Sequence, residues 1–332
     1  MRPRWTSGTL DFSPPYNAAV SSHELPFRFA VQASKAGDGA GWMDLVQRVE
    51  SLGYATLSLP DHFGDQLAPV PAMAAAAAAT TTLRVASLVF ANDYRHPVVL
   101  AKEMATLDVL SGGRLELGLG AGWLATDYEQ SGIARDSAGE RLERMQESVQ
   151  VIRGLMTDGP FSFQGRHYAI TGMEGHPKPI QRPHPPIVMG GGGRRMLSIA
   201  AREADIVGIN ANLAAGRVGR EMAADVTTAA FQRKIGWVKE AAGGRFDEIE
   251  LQMQTFFLAV TDDRDATAAA VGQGFGLGAS DVLDIQLVLI GTINQIGEQL
   301  KRRRESLGIS YITVPADHCE SFAPVVERLA GS

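Results

Sequence analysis

An acidic residue and a histidine stand side by side directly after a short apolar segment. Residues 55–59 (ATLSL) have the composition of a buried β-strand, and Pro60 ends that strand before Asp61 and His62. An imidazole at a strand end can exchange a proton with a ligand, because histidine changes its protonation state near neutral pH. Alternatively, His62 is a packed structural residue and Asp61 caps the segment that follows.

Two glycine-rich segments follow other predicted strands. Gly118, Gly120 and Gly122 alternate in the sequence GLGAGW, where small residues would let a ligand approach the backbone. Residues 190–195 (GGGGRR) join a strand end to a helix start, which is typical of a phosphate site built from backbone N–H groups and arginine. The first segment lacks the GxGxxG spacing of dinucleotide-binding folds. The second can also be an ordinary flexible loop.

The sequence lacks the motifs of metal sites, of catalytic nucleophiles and of disulfides. The 7 histidines show no HExxH or other metal-ligand spacing, and no GxSxG nucleophile motif occurs. The single cysteine, Cys319, excludes an intrachain disulfide or a CxxC metal site. We therefore predict no metal, and a site in which a bound cofactor carries the reaction while the protein orients it.

Short apolar strands alternate with amphipathic helices along the chain. We predict eight strands, within residues 27–33, 55–59, 83–90, 114–119, 186–189, 205–210, 250–260 and 310–314. The sequence ESLG precedes both the second and the eighth strand, as an internal repeat of one helix–glycine–strand unit. Even recurrence of these units indicates an α/β fold of the (β/α)8 TIM-barrel type rather than an open sheet. The segments after the strands would then share one face.

One long segment interrupts the pattern after the fourth predicted helix, which covers residues 139–156. Residues 158–186 are rich in proline and in aromatic residues, so we predict an insertion there. We expect this insertion, and a flap at residues 272–279, to line the substrate pocket. Residues 1–26 are predicted to be an irregular lead-in, and residues 27–332 a single barrel domain.

Composition restricts the partners and the location. The net charge of -6 argues against a nucleic-acid partner, and the basic run at residues 301–304 lies on a helix with an apolar opposite face. No apolar segment approaches the ~20 residues that span a membrane, and residues 1–17 lack the apolar core of a secretion signal. We predict a cytoplasmic protein that binds a small-molecule substrate and neither membrane nor nucleic acid.

Several segments together resemble the luciferase-like superfamily of flavin- and deazaflavin-dependent oxidoreductases. They are LPDHF at residues 59–63, HPVVLAK at 96–102, LSGGRLELGLGAGW at 110–123, PIQRPHPPI at 179–187 and LIGT at 289–292. The resemblance covers about residues 27–315. It implies a (β/α)8 barrel, usually a homodimer or larger, with an insertion at the proline-rich segment.

The Asp-His-Phe triplet looks like that of the branch that uses coenzyme F420, a 5-deazaflavin. The resemblance implies that Asp61 and His62 lie beside the deazaflavin ring and act in catalysis. It also implies a non-prolyl cis peptide behind the ring, at Ser87–Leu88, and further cofactor contacts along the tail and at the phosphate. The residues of these contacts are Ser87, Leu88, Gly120, Ala121, Gly122, Gly190, Gly191, Gly192, Gly193 and Arg194. A sugar-phosphate dehydrogenase of this branch has a catalytic glutamate where this chain has Trp123, so we expect a different substrate.

Three functions are compatible with these features. The leading hypothesis is an F420-dependent oxidoreductase that transfers a hydride between the deazaflavin C5 and an imine, an activated alkene or an alcohol. His62 would steady the reacting centre or protonate it. The second hypothesis is an FMNH2-dependent luciferase-like monooxygenase, with FMN as cofactor. The third is a non-catalytic cofactor-binding protein.

Overall fold

The computed structural model describes residues 25–216 and 220–332, so residues 1–24 of the predicted lead-in lie outside the described residues. The described residues contain thirteen strands, β1 Arg28–Gln32, β2 Thr56–Leu59, β3 Arg84–Ser87, β4 Phe90–Ala91, β5 Leu115–Gly120, β6 Phe161–Gln164, β7 Ala169–Met173, β8 Ile187–Gly191, β9 Ile206–Ile209, β10 Glu250–Gln254, β11 Phe257–Val260, β12 Val288–Gly291 and β13 Ile309–Pro315.

The same part of the chain contains eleven α-helices, α1 Gly39–Ser51, α2 Pro69–Ala79, α3 Pro97–Ser111, α4 Ala125–Ser131, α5 Ala138–Met156, α6 Arg194–Glu203, α7 Thr228–Ala242, α8 Arg264–Gln273, α9 Ala279–Asp284, α10 Ile293–Leu307 and α11 Cys319–Leu329. Short 3-10 helices cover Asn92–Tyr94, Arg220–Asp225, Gly243–Glu248 and Ala316–His318. None of these described helices combines the length and apolar character that crossing a membrane requires.

Eight parallel strands close into a barrel. Their order is β3-β2-β1-β13-β10-β9-β8-β5, and β5 pairs back with β3, so these eight strands leave no open edge. Strands β2 and β9 are buried at every position, as parallel strands inside a ring of helices must be. The prediction of a TIM barrel with an insertion is confirmed.

A buried ionic cluster lies where barrel strands begin. Glu116, which is 1% exposed, lies 2.5 Å from Arg28 and 2.9 Å from Arg84, and it accepts a hydrogen bond from the Tyr311 hydroxyl at 3.1 Å. Burial opposes ionisation of Glu116, but the charges of Arg28 and Arg84 outweigh it and hold the pKa of this carboxyl below its usual value. The cluster fills the amino-terminal end of the barrel, opposite the strand ends described below.

Two predicted strands are divided in the structure. The predicted strand at residues 83–90 becomes β3 and β4, with a cis peptide at Leu88–Val89 between them. The predicted strand within residues 250–260 becomes β10 and β11, because β11 leaves the barrel and pairs with β12 in a separate sheet. Helix α7 begins at Thr228, where the Thr227 hydroxyl accepts the N–H of Ala230 as an N-cap.

The proline-rich insertion forms an antiparallel hairpin of β6 and β7. Glu147 on α5 holds its turn by accepting the N–H groups of Arg166 at 2.7 Å and His167 at 2.8 Å. None of residues 158–186 lines the main cavity, and residues 272–279 do not line it either. The expectation that these two segments line the substrate pocket is therefore wrong. The hairpin is fixed to α5, and residues 272–279 contain the end of α8, the connection and the start of α9.

Candidate functional site

A cavity of about 800 Å³ opens at the carboxyl ends of the barrel strands. Its volume lies in the range of small-molecule and cofactor sites. The cavity is lined by residues 60–62 after β2, by residues 120–123 at the end of β5 and by residues 190–195, which run from the end of β8 into α6. The structure therefore brings together the three segments that the sequence singled out.

His62 lines this cavity and is bound by a carboxylate from another element. Its Nδ1 lies 2.6 Å from Oδ2 of Asp127, which belongs to α4 and is 4% exposed. The Tyr94 hydroxyl donates to the same oxygen at 3.1 Å, and the N–H of Phe63 donates to Oδ1 at 3.3 Å. The His62 ring also packs edge-on against Trp123, with ring centroids 5.6 Å apart. The imidazole is thus held on two sides.

Tyr94 contributes a proton donor to this group. Burial raises the pKa of its phenol, and the negative charge of Asp127 raises it further. The phenol therefore stays protonated across the physiological range and serves as a donor to the carboxylate.

Asp61 also lines the cavity, but both of its oxygens are engaged by protein groups. Oδ2 accepts hydrogen bonds from Arg95 at 2.6 Å and from the N–H of Ala91 at 3.0 Å. Oδ1 accepts a second bond from Arg95 at 3.1 Å. These contacts favour a structural role, in which Asp61 fixes the segment before His62 to the segment after β4.

The glycines of the GLGAGW segment are required by packing inside the protein. A Cβ at Gly118 would lie 1.9 Å from the Ser87 carbonyl oxygen, and one at Gly120 would lie 2.7 Å from Val89. At Gly122, where φ is +71°, a Cβ would lie 1.9 Å from the Tyr128 hydroxyl. Packing against protein atoms is therefore a sufficient reason for these glycines, and the approach of a ligand to their backbone stays a prediction. Gly120, Ala121 and Gly122 still line the cavity.

The non-prolyl cis peptide joins Leu88 to Val89, one residue later than the predicted Ser87–Leu88 bond. Leu88 and Val89 line the cavity, whereas the buried Ser87 does not. The Ser87 hydroxyl instead donates to the Gly118 carbonyl at 2.8 Å and accepts the Gly118 N–H at 3.0 Å. Ser87 therefore ties β3 to β5 behind the cavity wall.

The GGGGRR segment leads into a helix whose first turn has no side-chain cap. Gly193 is the N-cap residue of α6, and no side chain accepts the N–H groups there. A Cβ at Gly193 would meet nothing closer than 3.8 Å, whereas Gly190 and Gly192 pack tightly against backbone. An uncapped helix start facing a cavity is suited to an anion.

Arg194 is less available than the sequence indicates. Its guanidinium is largely exposed and binds both carboxylate oxygens of Glu240, at 3.0 and 2.9 Å. The buried Arg141 on α5 lines the cavity as well, and it donates to the carbonyl oxygens of Ala121 and Gly122. Arg141 was not singled out from the sequence.

The family profile described as luciferase-like monooxygenase matches residues 22–277 of the chain. The chain belongs to this family. The resemblance that the sequence motifs indicate is therefore confirmed at the level of the family.

Members of the luciferase-like family with partial similarity to the chain differ in the cofactors that they use. The chain is 33% identical over 139 residues to the FMNH2-dependent dimethylsulfone monooxygenase of Pseudomonas putida, covering 42% of the chain and 38% of that protein. It is 30% identical over 176 residues to the F420-dependent glucose-6-phosphate dehydrogenase of Amycolatopsis mediterranei, covering 50% and 52%. The chain thus spans about half or less of these two relatives.

The fold is shared with solved structures of luciferase-like proteins. The F420-dependent tetrahydromethanopterin reductase of Methanopyrus kandleri superposes with a TM-score of 0.73 at 19% identity, over 92% of this chain and 99% of that one. At this identity the likeness establishes the barrel alone.

Besides Arg141, the sequence analysis missed three residues of this candidate site: Asp127, Tyr94 and Arg95. Asp127 follows Trp123 by four positions, on a helix of only 7 residues that shows no clear periodicity. Asp127 is an acidic residue in the first helical turn after the glycine segment. That position is the signal by which a search for a partner of His62 could have found it. Within the described residues, no group of three or more His, Cys, Asp or Glu side chains has the arrangement of a metal site.

Proposed function

We propose that the chain is an F420-dependent oxidoreductase that transfers a hydride between C5 of the deazaflavin and a small organic substrate. One observation carries this proposal. A single cavity of about 800 Å³ is lined both by His62, with its carboxylate partner, and by the uncapped start of α6. One part of the cavity lining is therefore suited to proton exchange and another part to an anion.

The residues present fit a ring system with a phosphate-bearing tail. Leu88, Val89 and Ala121 offer a wall of apolar side chains, against which a flat ring can pack. Where the cavity meets α6, the N–H groups of the first turn of α6 would hold a phosphate, and the Asn212 side chain lies beside Gly193 there. Arg141 adds a positive charge to the lining.

When bound, F420 would supply the carbon that accepts or releases the hydride. The protein's own contribution is to orient the substrate and to move a proton. His62 Nδ1 is held by Asp127, and Nε2 has no hydrogen-bond partner among the described residues. Nε2 is thus available for a substrate atom. Trp123 packs against the imidazole and limits its rotation.

A second candidate is an FMNH2-dependent monooxygenase. The 33% identity with the dimethylsulfone monooxygenase of Pseudomonas putida favours it, because that protein is described as FMNH2-dependent. The two candidates differ in oxygen use. A monooxygenase consumes oxygen and gives an oxygenated product, whereas a deazaflavin enzyme is nearly inert to oxygen.

A side-by-side titration of the purified protein with F420 and FMN tests the proposal. Tryptophan fluorescence is a suitable readout, because Trp123 lines the cavity. We expect micromolar binding of F420 and much weaker binding of FMN, followed by turnover in a screen of imines, activated alkenes and alcohols. Preference for FMN with oxygen consumption would replace the proposal by the monooxygenase. Binding of F420 without any turnover would favour a cofactor-binding protein.

We also propose that the protein is a cytoplasmic homodimer and that residues 27–332 form one barrel domain with its insertion. The homodimer follows from the family resemblance, and the location follows from the composition. Light scattering on a size-exclusion column would measure the assembly, and one cooperative unfolding transition would support a single domain.

A further inference from the structure

We propose that Asp127 is a positioning residue that holds His62 in the tautomer with its proton on Nδ1. Nε2 is then the ring atom that exchanges a proton with the substrate. The catalytic part of this proposal rests on the proposed function. The tautomer itself rests on the geometry of the protein alone.

The donors around Asp127 decide where the proton lies. Its carboxylate receives the Tyr94 hydroxyl, the Phe63 N–H and His62 Nδ1, at 3.1, 3.3 and 2.6 Å. An ionised carboxylate can only accept hydrogen bonds, so the short contact to Nδ1 requires a proton on that nitrogen. A neutral His62 must then have an unprotonated Nε2.

Asp127 also fixes the place of the ring. Its two oxygens bind consecutive residues, the side chain of His62 and the backbone of Phe63. The edge-on contact with Trp123 restrains the imidazole on another side. Helix α4 therefore sets both the backbone and the ring orientation of His62, and it does so from outside the segment after β2 that carries the histidine.

The consequence for chemistry is a single defined proton path. A cationic His62 gives its Nε2 proton to a basic atom of the substrate and is left as the neutral imidazole with Nδ1 still protonated. The reverse step returns the proton to Nε2. Only a proton moves, so the step needs no oxidant or reductant of its own.

The tautomer can be measured without any cofactor. Protein labelled with ¹⁵N-histidine is studied by long-range ¹H–¹⁵N correlation, and the His62→Gln variant identifies the His62 signals among those of the 7 histidines. We expect neutral His62 in the wild-type protein to be protonated at Nδ1. A wild-type spectrum with the proton on Nε2 overturns the proposal, whether or not any Asp127 variant folds.

The Asp127→Asn variant should change this state, because an amide can donate to Nδ1 and so favours the proton on Nε2. Asp93→Asn is a matched control. Asp93 accepts a hydrogen bond from the Tyr128 hydroxyl at 3.0 Å, much as Asp127 does from Tyr94, and a second from Arg144 at 2.8 Å, but it does not contact His62. We expect Asp93→Asn to retain the wild-type tautomer. Loss of that tautomer in both variants would mean that general loosening is responsible, and would overturn the proposal.

Kinetics of the F420-loaded enzyme test the catalytic part. We expect kcat of Asp127→Asn to fall roughly 10²–10⁴-fold, while the Kd for F420 changes by less than about threefold. Asp127→Glu should recover part of kcat, because it restores an acceptor. A wild-type kcat in Asp127→Asn, together with a changed tautomer, overturns the positioning role. If the wild-type protein binds no F420, the proposed function fails, while the NMR result still decides the tautomer.

Discussion

Arg95 and Asp61 form a two-point ion pair at the edge of the cavity. Nη1 of Arg95 lies 2.6 Å from Oδ2 of Asp61, and Nη2 lies 3.1 Å from Oδ1. The guanidinium also lies 4.9 Å from the centre of the Phe90 ring. A bidentate pair of this kind fixes orientation as well as distance. It joins the segment that carries His62 to the segment after β4.

Replacing Arg95 and replacing Asp61 should lower the free energy of unfolding by different amounts. Asp61 is buried, whereas the Arg95 side chain is 22% exposed and can be hydrated when its partner is lost. We expect Arg95→Met to lower the free energy of unfolding by about 3–5 kcal/mol, since it leaves a buried carboxylate with a single donor. Asp61→Asn should cost less, about 1–3 kcal/mol. Urea unfolding of both variants measures the difference.

The exposed pair of Arg48 and Glu320 provides the control for this comparison. Their side chains are 57% and 66% exposed, so Arg48→Met should cost less than about 1 kcal/mol. Equal losses for Arg95→Met and Arg48→Met would show that the bidentate pair is not a stabilising element. A larger loss of unfolding free energy in Asp61→Asn than in Arg95→Met would contradict the argument that loss of the partner costs more at the buried Asp61 than at Arg95.

Gly122 should be far less tolerant of substitution than Gly132. Both have positive φ, at +71° and +75°, but a Cβ at Gly122 would lie 1.9 Å from the Tyr128 hydroxyl, while one at Gly132 meets nothing within 4 Å. Gly132→Ala should cost about 1–2 kcal/mol for its backbone conformation alone. Gly122→Ala adds steric overlap, so we expect a total of roughly 2–5 kcal/mol. Thermal unfolding of the two variants compares them, and equal losses would rule out the close contact.

Lys234 should hold the segment after β9 against the cavity. Its ammonium group is fully buried and lies 2.7 Å from each of three oxygens, the carbonyls of Asn210 and Asp225 and the Asp225 carboxylate. Lys234→Met removes the ammonium from the two carbonyl oxygens and from the Asp225 carboxylate, which keeps only the N–H of Asn212 on Oδ2, and we expect a loss of about 3–5 kcal/mol. Because Asn210 and Ala211 line the cavity, the cofactor should also bind more weakly.

Lys239→Met on the same helix is the control for Lys234→Met. Lys239 is exposed, so its replacement should change unfolding and cofactor binding little. Urea unfolding and a fluorescence titration measure the two effects separately. Unchanged stability in Lys234→Met would show that its three contacts contribute no net stabilisation.

The barrel could be predicted because short strand-like segments recur evenly along the chain and alternate with amphipathic helices. The polar residues of β2 did not obscure it, although all 4 positions of that strand are buried. Helix α4 could not be predicted in the same way, because 7 residues are too few for a helical period to be seen. Asp127 was missed with it, although it is the partner of the histidine that the sequence did identify.

The glycines show a different limit of sequence reasoning. The GLGAGW segment was recognised as requiring small residues, but the reason lies far away along the chain. Ser87 and Val89 occupy the space beside Gly118 and Gly120, and Tyr128 occupies the space beside Gly122. The sequence pattern indicates that there is little space beside these glycines, but only the folded structure shows which atoms occupy it.

Glu50 should make stability depend on pH in acid. Its Oε1 accepts the N–H groups of Thr81, Thr82 and Leu83 at 2.8, 2.6 and 3.0 Å. Partial burial raises the pKa of Glu50, but these hydrogen bonds outweigh it and lower the pKa from 4.5 to about 2. The stabilisation is therefore complete above pH 4.5 and is lost as the pH falls towards about 2.

The Glu50→Gln variant tests this dependence. Solvent screening reduces the contribution of this partly exposed group, so we expect a loss of about 1 kcal/mol near neutral pH. Urea unfolding of the wild type and the variant at about pH 7 and about pH 3 compares them, and the difference should shrink at the lower pH. A difference that grows on acidification would contradict the lowered pKa of Glu50.

His62 should matter for turnover and little for cofactor binding. If its Nε2 exchanges the proton, His62→Gln lowers kcat roughly 10²–10⁴-fold while the Kd for F420 changes by less than about threefold. His176→Gln is the control, because His176 lies on the insertion and does not line the cavity. It should leave both constants unchanged. A loss of kcat below about tenfold in His62→Gln, with F420 still bound, would remove His62 from proton transfer and leave it as a wall of the cavity.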